Sequence, residues 1–341
     1  MTVSQTVQTS TTPLEGTSLT SHSTASPPSS IGGDAGARGA ADRTVTRRRR
    51  RRHSREYLLF LVLVSPNLLL IGTFEYWPVI YNAYLSLTRW NMLSGVPVWV
   101  GLDNYQSLLT SSSFHTVMYN TLLFTGTVVI GSVVIGLALA VLFNQKVRGR
   151  GFVRTVAFAP HIVSGAAVAT LWLFIFNPDY GLSRFVLNQV GLSSPRWVSD
   201  SDWALASLII VFLWKGIGFV AIVYLAGLQS LPEDVYEAAK LDGARAWTTF
   251  RRITLPLLSP VTFFVLVITI IGTFQAYDMI AVMTGGGPGN ATTTLSWYIY
   301  EQGFQASDAG RAAASAMILF VILLIVTGLQ TKYAQRKVHY Q

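Results

Sequence analysis

Six apolar blocks dominate the chain, at about 57–85, 117–143, 153–177, 204–229, 256–283 and 312–331. Each is long enough to cross the hydrocarbon core of a bilayer as a helix, which takes about 20 residues. Composition agrees: 51% of the 341 residues are hydrophobic and 12% are charged, about half the ~25% charge of soluble domains. An ordinary soluble enzyme is excluded. The expected fold class is all-α: a polytopic membrane protein with about six transmembrane helices. Prolines inside the blocks (Pro66 and Pro78, Pro160, Pro260) predict kinks, which neighbouring helices can tolerate in a membrane.

Outside the blocks the informative quantity is where positive charge falls. With 25 Lys and Arg against 16 Asp and Glu, the formal net charge is +9. Arg38, Arg43, Arg47 to Arg52 and Arg55 precede the first block. Lys146, Arg148, Arg150 and Arg154 lie between the second and third, Lys240, Arg245, Arg251 and Arg252 between the fourth and fifth, and Lys332, Arg336 and Lys337 follow the last. The alternate loops hold only Arg89, Arg184, Arg196 and Arg311, while Lys215 is inside a block. The positive-inside bias then puts both termini in the cytoplasm, which requires an even number of spans. Trp90, Trp99, Trp197 and Trp203 suit an aromatic belt at the outer interface.

Residues 1–56 read as a disordered basic N-terminal tail, rich in Ser and Thr and then in Arg, with too little apolar surface to offset the entropy of ordering. No small-residue cleavage site follows the first block, so the tail is not a secretory signal. Its Arg run fits a cytoplasmic anchor beside a spanning helix. Nucleic-acid binding is the other reading of such a run, and no nucleic-acid partner is expected. Residues 57–335 form the expected membrane domain, and 336–341 a cytoplasmic C-terminal tail.

Several chemistries are missing from the sequence. Zero cysteines leave no disulfide, thiolate site or Cys nucleophile, and the five histidines (His22, His53, His115, His161, His339) are far apart. No catalytic or metal-ligating residue is expected. No Gly directly precedes a Lys, so the phosphate-cradling loop of a nucleotide site is absent. The run Thr284-Gly285-Gly286-Gly287-Pro288-Gly289 has no Lys and reads as a sharp turn after the fifth block. Small residues recur at Gly126, Gly131 and Gly136, at Gly165 to Ala167 with Ala169, and at Ala312 to Ala316, where helices in lipid could approach closely.

The segment between the fourth and fifth blocks, residues 230–256, is the unusual one. Ser230 followed by Glu233 fits a capping box, with Pro232 in the first turn. Glu233, Asp234 and Glu237 lie at the positive end of the short helix this opens, and Gly243 is placed to stop it. A second short stretch carries Trp247, Phe250, Arg251 and Arg252 before Pro256 opens the next span. The expected result is a helix–Gly–helix elbow held at both ends by membrane helices. Its small residues could enter a groove on another protein. Its Trp and Arg residues would equally suit lipid headgroups.

Glu237-Ala238-Ala239, Gly243 and Ile253-Thr254-Leu255-Pro256 resemble the EAA loop of permease subunits of bacterial ABC importers. The flanks narrow the likeness to carbohydrate-uptake permeases of the maltose and glycerol-phosphate type. They include Asn120-Thr121, Gly136-Leu137-Ala138-Leu139-Ala140, Arg154 with Phe158 and Pro160, and Trp214 with Gly218-Phe219. Ala226 to Pro232, Phe274 to Asp278 and Thr284 to Pro288 complete them. The likeness covers about residues 57–335 and departs from the family in the Ser/Thr-rich tail. The absence of a large insertion sets the chain apart from the larger maltose subunit.

The resemblance implies a sugar-import permease in the bacterial inner membrane. Its implied partners are a second permease subunit, two copies of a cytoplasmic ATPase, an extracytoplasmic solute-binding protein and the bilayer. No cofactor would bind this chain; ATP and Mg would be used by the ATPase. Glu237, Ala238, Ala239, Gly243, Leu255 and Pro256 would couple to that ATPase. Charges inside spans usually face a cavity or a partner, so Lys215 and Asp278, with Trp214, Gln275 and Tyr277, are candidates for the solute path. The alternative is that Lys215 and Asp278 pair or reach an interface. An ion-driven secondary transporter and a non-transporting scaffold are the rival classes. No internal repeat supports the former.

Overall fold

The computed structural model describes residues 57, 59–145 and 148–337; the expected tail 1–56, Lys146 and residues 338–341 lie outside them. The chain divides into two compact units at Leu69 and Leu70. The described part of the first unit is the N-terminal stretch of helix α1 (Leu59–Ser86), and the packing below lies in the second. Four helices are long and apolar enough to cross a membrane: α1, α3 (Ser112–Asn144), α7 (Ser201–Gln229) and α13 (Ala309–Lys337, apolar through Lys332). Two bent pairs bring the number to as many as six.

Both bends occur beside prolines. The third block is not one straight helix: α4 (Arg150–Ile162) and α5 (Gly165–Ile175) meet at 103°. Pro160 removes an N–H from the last turn of α4, and Val163 and Ser164 then leave the helical region, with ψ of 140° and 147°. Ser164 restarts the helix, its Oγ accepting from the Ala167 N–H at 3.4 Å. The fifth block is likewise divided. Helix α9 (Ala246–Leu257) meets α10 (Ser259–Phe274) at 64°, and α11 (Asp278–Met283) follows separately. Pro256 therefore lies in the last turn of α9, Ser259 and Pro260 open the span, and Asp278 begins α11 instead of lying on the span. In α1, Pro78 follows a π turn (Gly72–Tyr76) and the helix runs through.

Helices α3 and α7 pack along their lengths and form the spine, with α4 against α7 and α10 against α3. Glycines set how close they come. A Cβ at Gly136 would strike Val220, one at Gly131 would strike Leu213, and one at Gly218 would fall on the backbone carbonyl of Ala157. Gly126 faces open space. Toward the elbow end the core is Ala140, Phe143, Val220, Ala221, Tyr224, Leu225, Leu258 and Val265. A second cluster around Phe124, Val128, Val168, Leu208, Met279 and Trp297 joins α5, α7 and α11. Ala312 to Ala314 and Ser315 are buried, the expected small-residue contact of the last helix.

A hairpin breaks the all-helical pattern: β1 (Thr88–Asn91) pairs antiparallel with β2 (Ser94–Trp99), Thr88 opposite Trp99. It is tied to the start of α13 by Met92 N–H donating to the Ser307 carbonyl, and α2 (Asp103–Thr110) braces it through Asn104, which donates to the Ser86 and Thr88 carbonyls. On the same side α6 (Leu182–Gln189) and α12 (Leu295–Tyr300) complete the connections. Trp90 and Trp99 lie in the hairpin. Trp197 is partly buried, stacked on Phe176 with centroids 4.9 Å apart.

Candidate functional site: an elbow and a cavity at a broken helix

The elbow begins where α7 ends. Ser230 is the last cap of α7, its Oγ donating to the Gly227 carbonyl at 2.9 Å, so the expected capping box does not form. Pro232 occupies the N-cap of α8 (Glu233–Leu241) without a side-chain cap. A Ser three residues before a Glu fits either role. Here the preceding helix claims the hydroxyl because its last carbonyls also lack partners.

Helix α8 stops as its sequence indicates. Gly243 has φ +69°, its N–H donates to the Lys240 carbonyl at 3.1 Å, and Ala244 N–H donates to Ala239 at 3.0 Å. This pair of bonds is a Schellman turn, which favours Gly at the left-handed position. Ala239 and Thr254 face inward, and Tyr236 Oη lies 3.2 Å from Thr254 Oγ1, locking α8 to α9. Glu237, Ala238, Gly243 and Pro256 remain exposed, with Leu255 half-buried. Leu241 is 90% and Trp247 69% exposed, a pair of large apolar groups at the tip of the elbow. A groove of about 550 Å³ runs beside α8, lined by Glu233, Tyr236, Glu237, Lys240, Asn144 and Phe250.

The second feature is a cavity of about 350 Å³ at the α4–α5 break. Lys215, Gln275 and Asp278 line it together; Trp214 and Tyr277 do not. Trp214 packs edge-on against Trp172, centroids 5.5 Å apart. Tyr277 stacks on Trp297 at 5.7 Å and meets Tyr300 at 4.9 Å. Lys215 is not paired with Asp278: its Nζ donates to the His161 carbonyl at 3.0 Å, at the C-terminal end of α4. Asp278 Oδ1 accepts from its neighbour's N–H (Met279) at 2.9 Å, and the carboxylate rests directly against Gly165, the first residue of α5. Its place requires Gly, because a Cβ there would coincide with the carboxylate. His161 stacks on Phe219 at 4.5 Å and 12°, and both rings line the cavity with Phe212. Sequence reading missed His161 and Gly165 as partners of the two charges, although Pro160 marked the break that brings them there.

On the opposite side from the elbow, the Gly-rich run makes the sharp turn expected, with positive φ at Gly285, Gly286 and Gly289. Thr292 Oγ1 donates to the Gly287 carbonyl at 2.7 Å, and Thr293 Oγ1 to that of Gly286 at 3.0 Å. Asn120 and Thr121 on α3 hold the loop. Asn120 donates to the Asn290 carbonyl at 2.8 Å, and Thr121 Oγ1 accepts from Leu295 N–H at 2.8 Å.

Residues 132–339, which include the elbow and every residue lining the cavity except Val128, match the family described as the binding-protein-dependent transport system inner membrane component. The chain belongs to this family. As an inner membrane transport component it is similar to the sn-glycerol-3-phosphate transport system permease protein UgpA of Agrobacterium fabrum, 35% identical over 83% of this chain and 97% of that one. A probable ABC transporter permease protein, PH1215 of Pyrococcus horikoshii, is also 35% identical, over 81% and 95%. Among solved structures, a chain of a bacterial alginate ABC transporter in complex with an alginate pentasaccharide-bound periplasmic protein superposes with a TM-score of 0.72. It is 27% identical, over 83% of this chain and 96% of that chain. The relatives of this transport component are permeases, and its fold is that of a polytopic helical membrane protein.

Proposed function

We propose that the chain is a permease subunit of an ABC importer for a sugar or sugar-derived solute, moved by ATP hydrolysed on a partner subunit. The observation that carries this reading is the elbow. Its two short helices are closed by Gly243, locked to each other by Tyr236 and Thr254, joined to α7 and α10, and tipped by exposed Leu241 and Trp247. A rigid segment continuous with two membrane helices moves both when pulled. Helix-in-groove docking supplies the grip, with exposed apolar anchors as its contacts. Family membership and relatives named for glycerol 3-phosphate and alginate support the solute class, and leave the ion-driven alternative without support.

In this reading the chain is not an enzyme and binds no cofactor itself, ATP and Mg being used by two copies of a cytoplasmic ATPase. A second permease subunit completes the path, and an extracytoplasmic binding protein delivers the solute. Residues 57–335 form the membrane domain and 230–256 its coupling segment. Both termini and the elbow lie on the cytoplasmic side, a placement that the distribution of Lys and Arg supports. Glu237, Ala238, Ala239, Gly243, Leu255 and Pro256 make or shape the ATPase contact. Lys215, Gln275 and Asp278 face the solute, with Trp214 and Tyr277 supporting the path from behind.

The test is Gly243→Asp in the reconstituted importer. The variant inserts in the membrane, ATP hydrolysis continues or falls, and solute uptake per ATP drops at least tenfold. Uptake at the normal ratio contradicts the elbow's role.

A further inference from the structure

The cavity at the α4–α5 break carries two charged side chains, and each is placed at the end of a helix of opposite polarity. Lys215 Nζ donates to the His161 carbonyl at 3.0 Å, at the negative end of the 13-residue α4. The Asp278 carboxylate lies against Gly165, at the positive end of the 11-residue α5. Among the described residues no other Asp, Glu, Lys or Arg lines the cavity. The formal charge of the lining that this chain supplies is therefore zero, and each charge is already opposed by a helix end.

What remains for a solute is uncharged. Ser132, Thr269 and Gln275 line the cavity and make no side-chain hydrogen bond among the described residues, while His161, Phe219 and Phe212 offer ring surfaces. At about 350 Å³ the space is near the small end of ligand pockets, about 300–1,000 Å³. We infer that this cavity selects an uncharged, polyhydroxylated small solute over an anionic one, with Lys215 and Asp278 as a balanced pair that sets this specificity. This deepens the reading above, on which it rests, and departs from the relatives named for glycerol 3-phosphate and alginate, both anionic solutes.

Electrostatic balance can be read without knowing the solute, because the chain has no cysteine of its own. Thr269→Cys places a single thiol in the cavity of the full importer. Three methanethiosulfonates are then applied, carrying a hydroxyethyl, a sulfonatoethyl or a trimethylammonioethyl group. Their rates are corrected for reactivity with a free thiol. The expected result is that the neutral reagent reacts fastest and the two charged ones within about threefold of each other. Adding Asp278→Asn should then favour the anionic reagent at least fivefold, and Lys215→Met the cationic one by as much.

A strong charge preference before either substitution overturns the inference, as does a balance that neither substitution moves. If ATP-dependent uptake persists alongside such a result, only this inference fails. If no reagent reaches the thiol in any nucleotide state, the cavity is off the path and its placement in the proposed function fails too.

Discussion

One glycine and one asparagine show how single residues set the architecture. Gly218 lets the Ala157 carbonyl of α4 lie directly on α7, and the obstacle to a side chain there is backbone. Gly218→Ala is expected to cost at least the ~1–3 kcal/mol of ordinary overpacking. Gly126→Ala, facing open space on α3, should be neutral; the two melting temperatures of the purified complex compare them. Asn120→Ala removes the donors to the Asn290 and Thr293 carbonyls, leaving acceptors short by about 1–3 kcal/mol. Faster hydrogen exchange confined to residues 284–294 is the expected sign. Asn120 and Gly218 were visible in the sequence only as parts of motifs, because their roles depend on contacts with distant segments.

At the scale of elements, the elbow was largely legible; for the two bends, Pro160 and Pro260 marked the place but not the sharpness of 103° and 64°. Gly243 announces its turn because few residues accept φ near +69°, and Pro232 and Pro256 bracket the segment. Gly243→Ala should loosen the end of α8 by roughly 1–2 kcal/mol, the cost of a left-handed residue with a Cβ, seen as faster exchange at Gly243 and Ala244. Ser230→Ala, by contrast, should leave the elbow's exchange unchanged, since that hydroxyl serves α7. The division of the third and fifth blocks escaped a hydropathy reading because apolar composition continues through Val163 and Leu258, where the backbone turns. The hairpin escaped it because strands of four and six residues are too short to display a clear alternation, and Gly95 and Pro97 argue against a strand. For the cavity, sequence supplied Lys215, Gln275 and Asp278 as unusual residues in apolar surroundings; that Trp214 and Tyr277 turn elsewhere depends on aromatic partners, Trp172 and Trp297, remote in the chain.

For the whole molecule the claim is a bundle with no nucleotide site of its own, worked from one end. The fold places the elbow at one end of α3 and α7 and the Gly-rich loop at the other, with the cavity between. Impermeant maleimide should label Arg245→Cys only from the cytoplasmic side and Gly289→Cys only from the outside, fixing the orientation that the positive charges predict. The most direct measurement of the central claim is cross-linking from the elbow tip in the assembled transporter, with Leu241→Cys or Trp247→Cys carrying a photoreactive group. The account predicts that the adduct is with the ATPase subunit and that its yield changes when ATP is added. Adducts formed only with lipid, with no ATPase captured in either state, would contradict it.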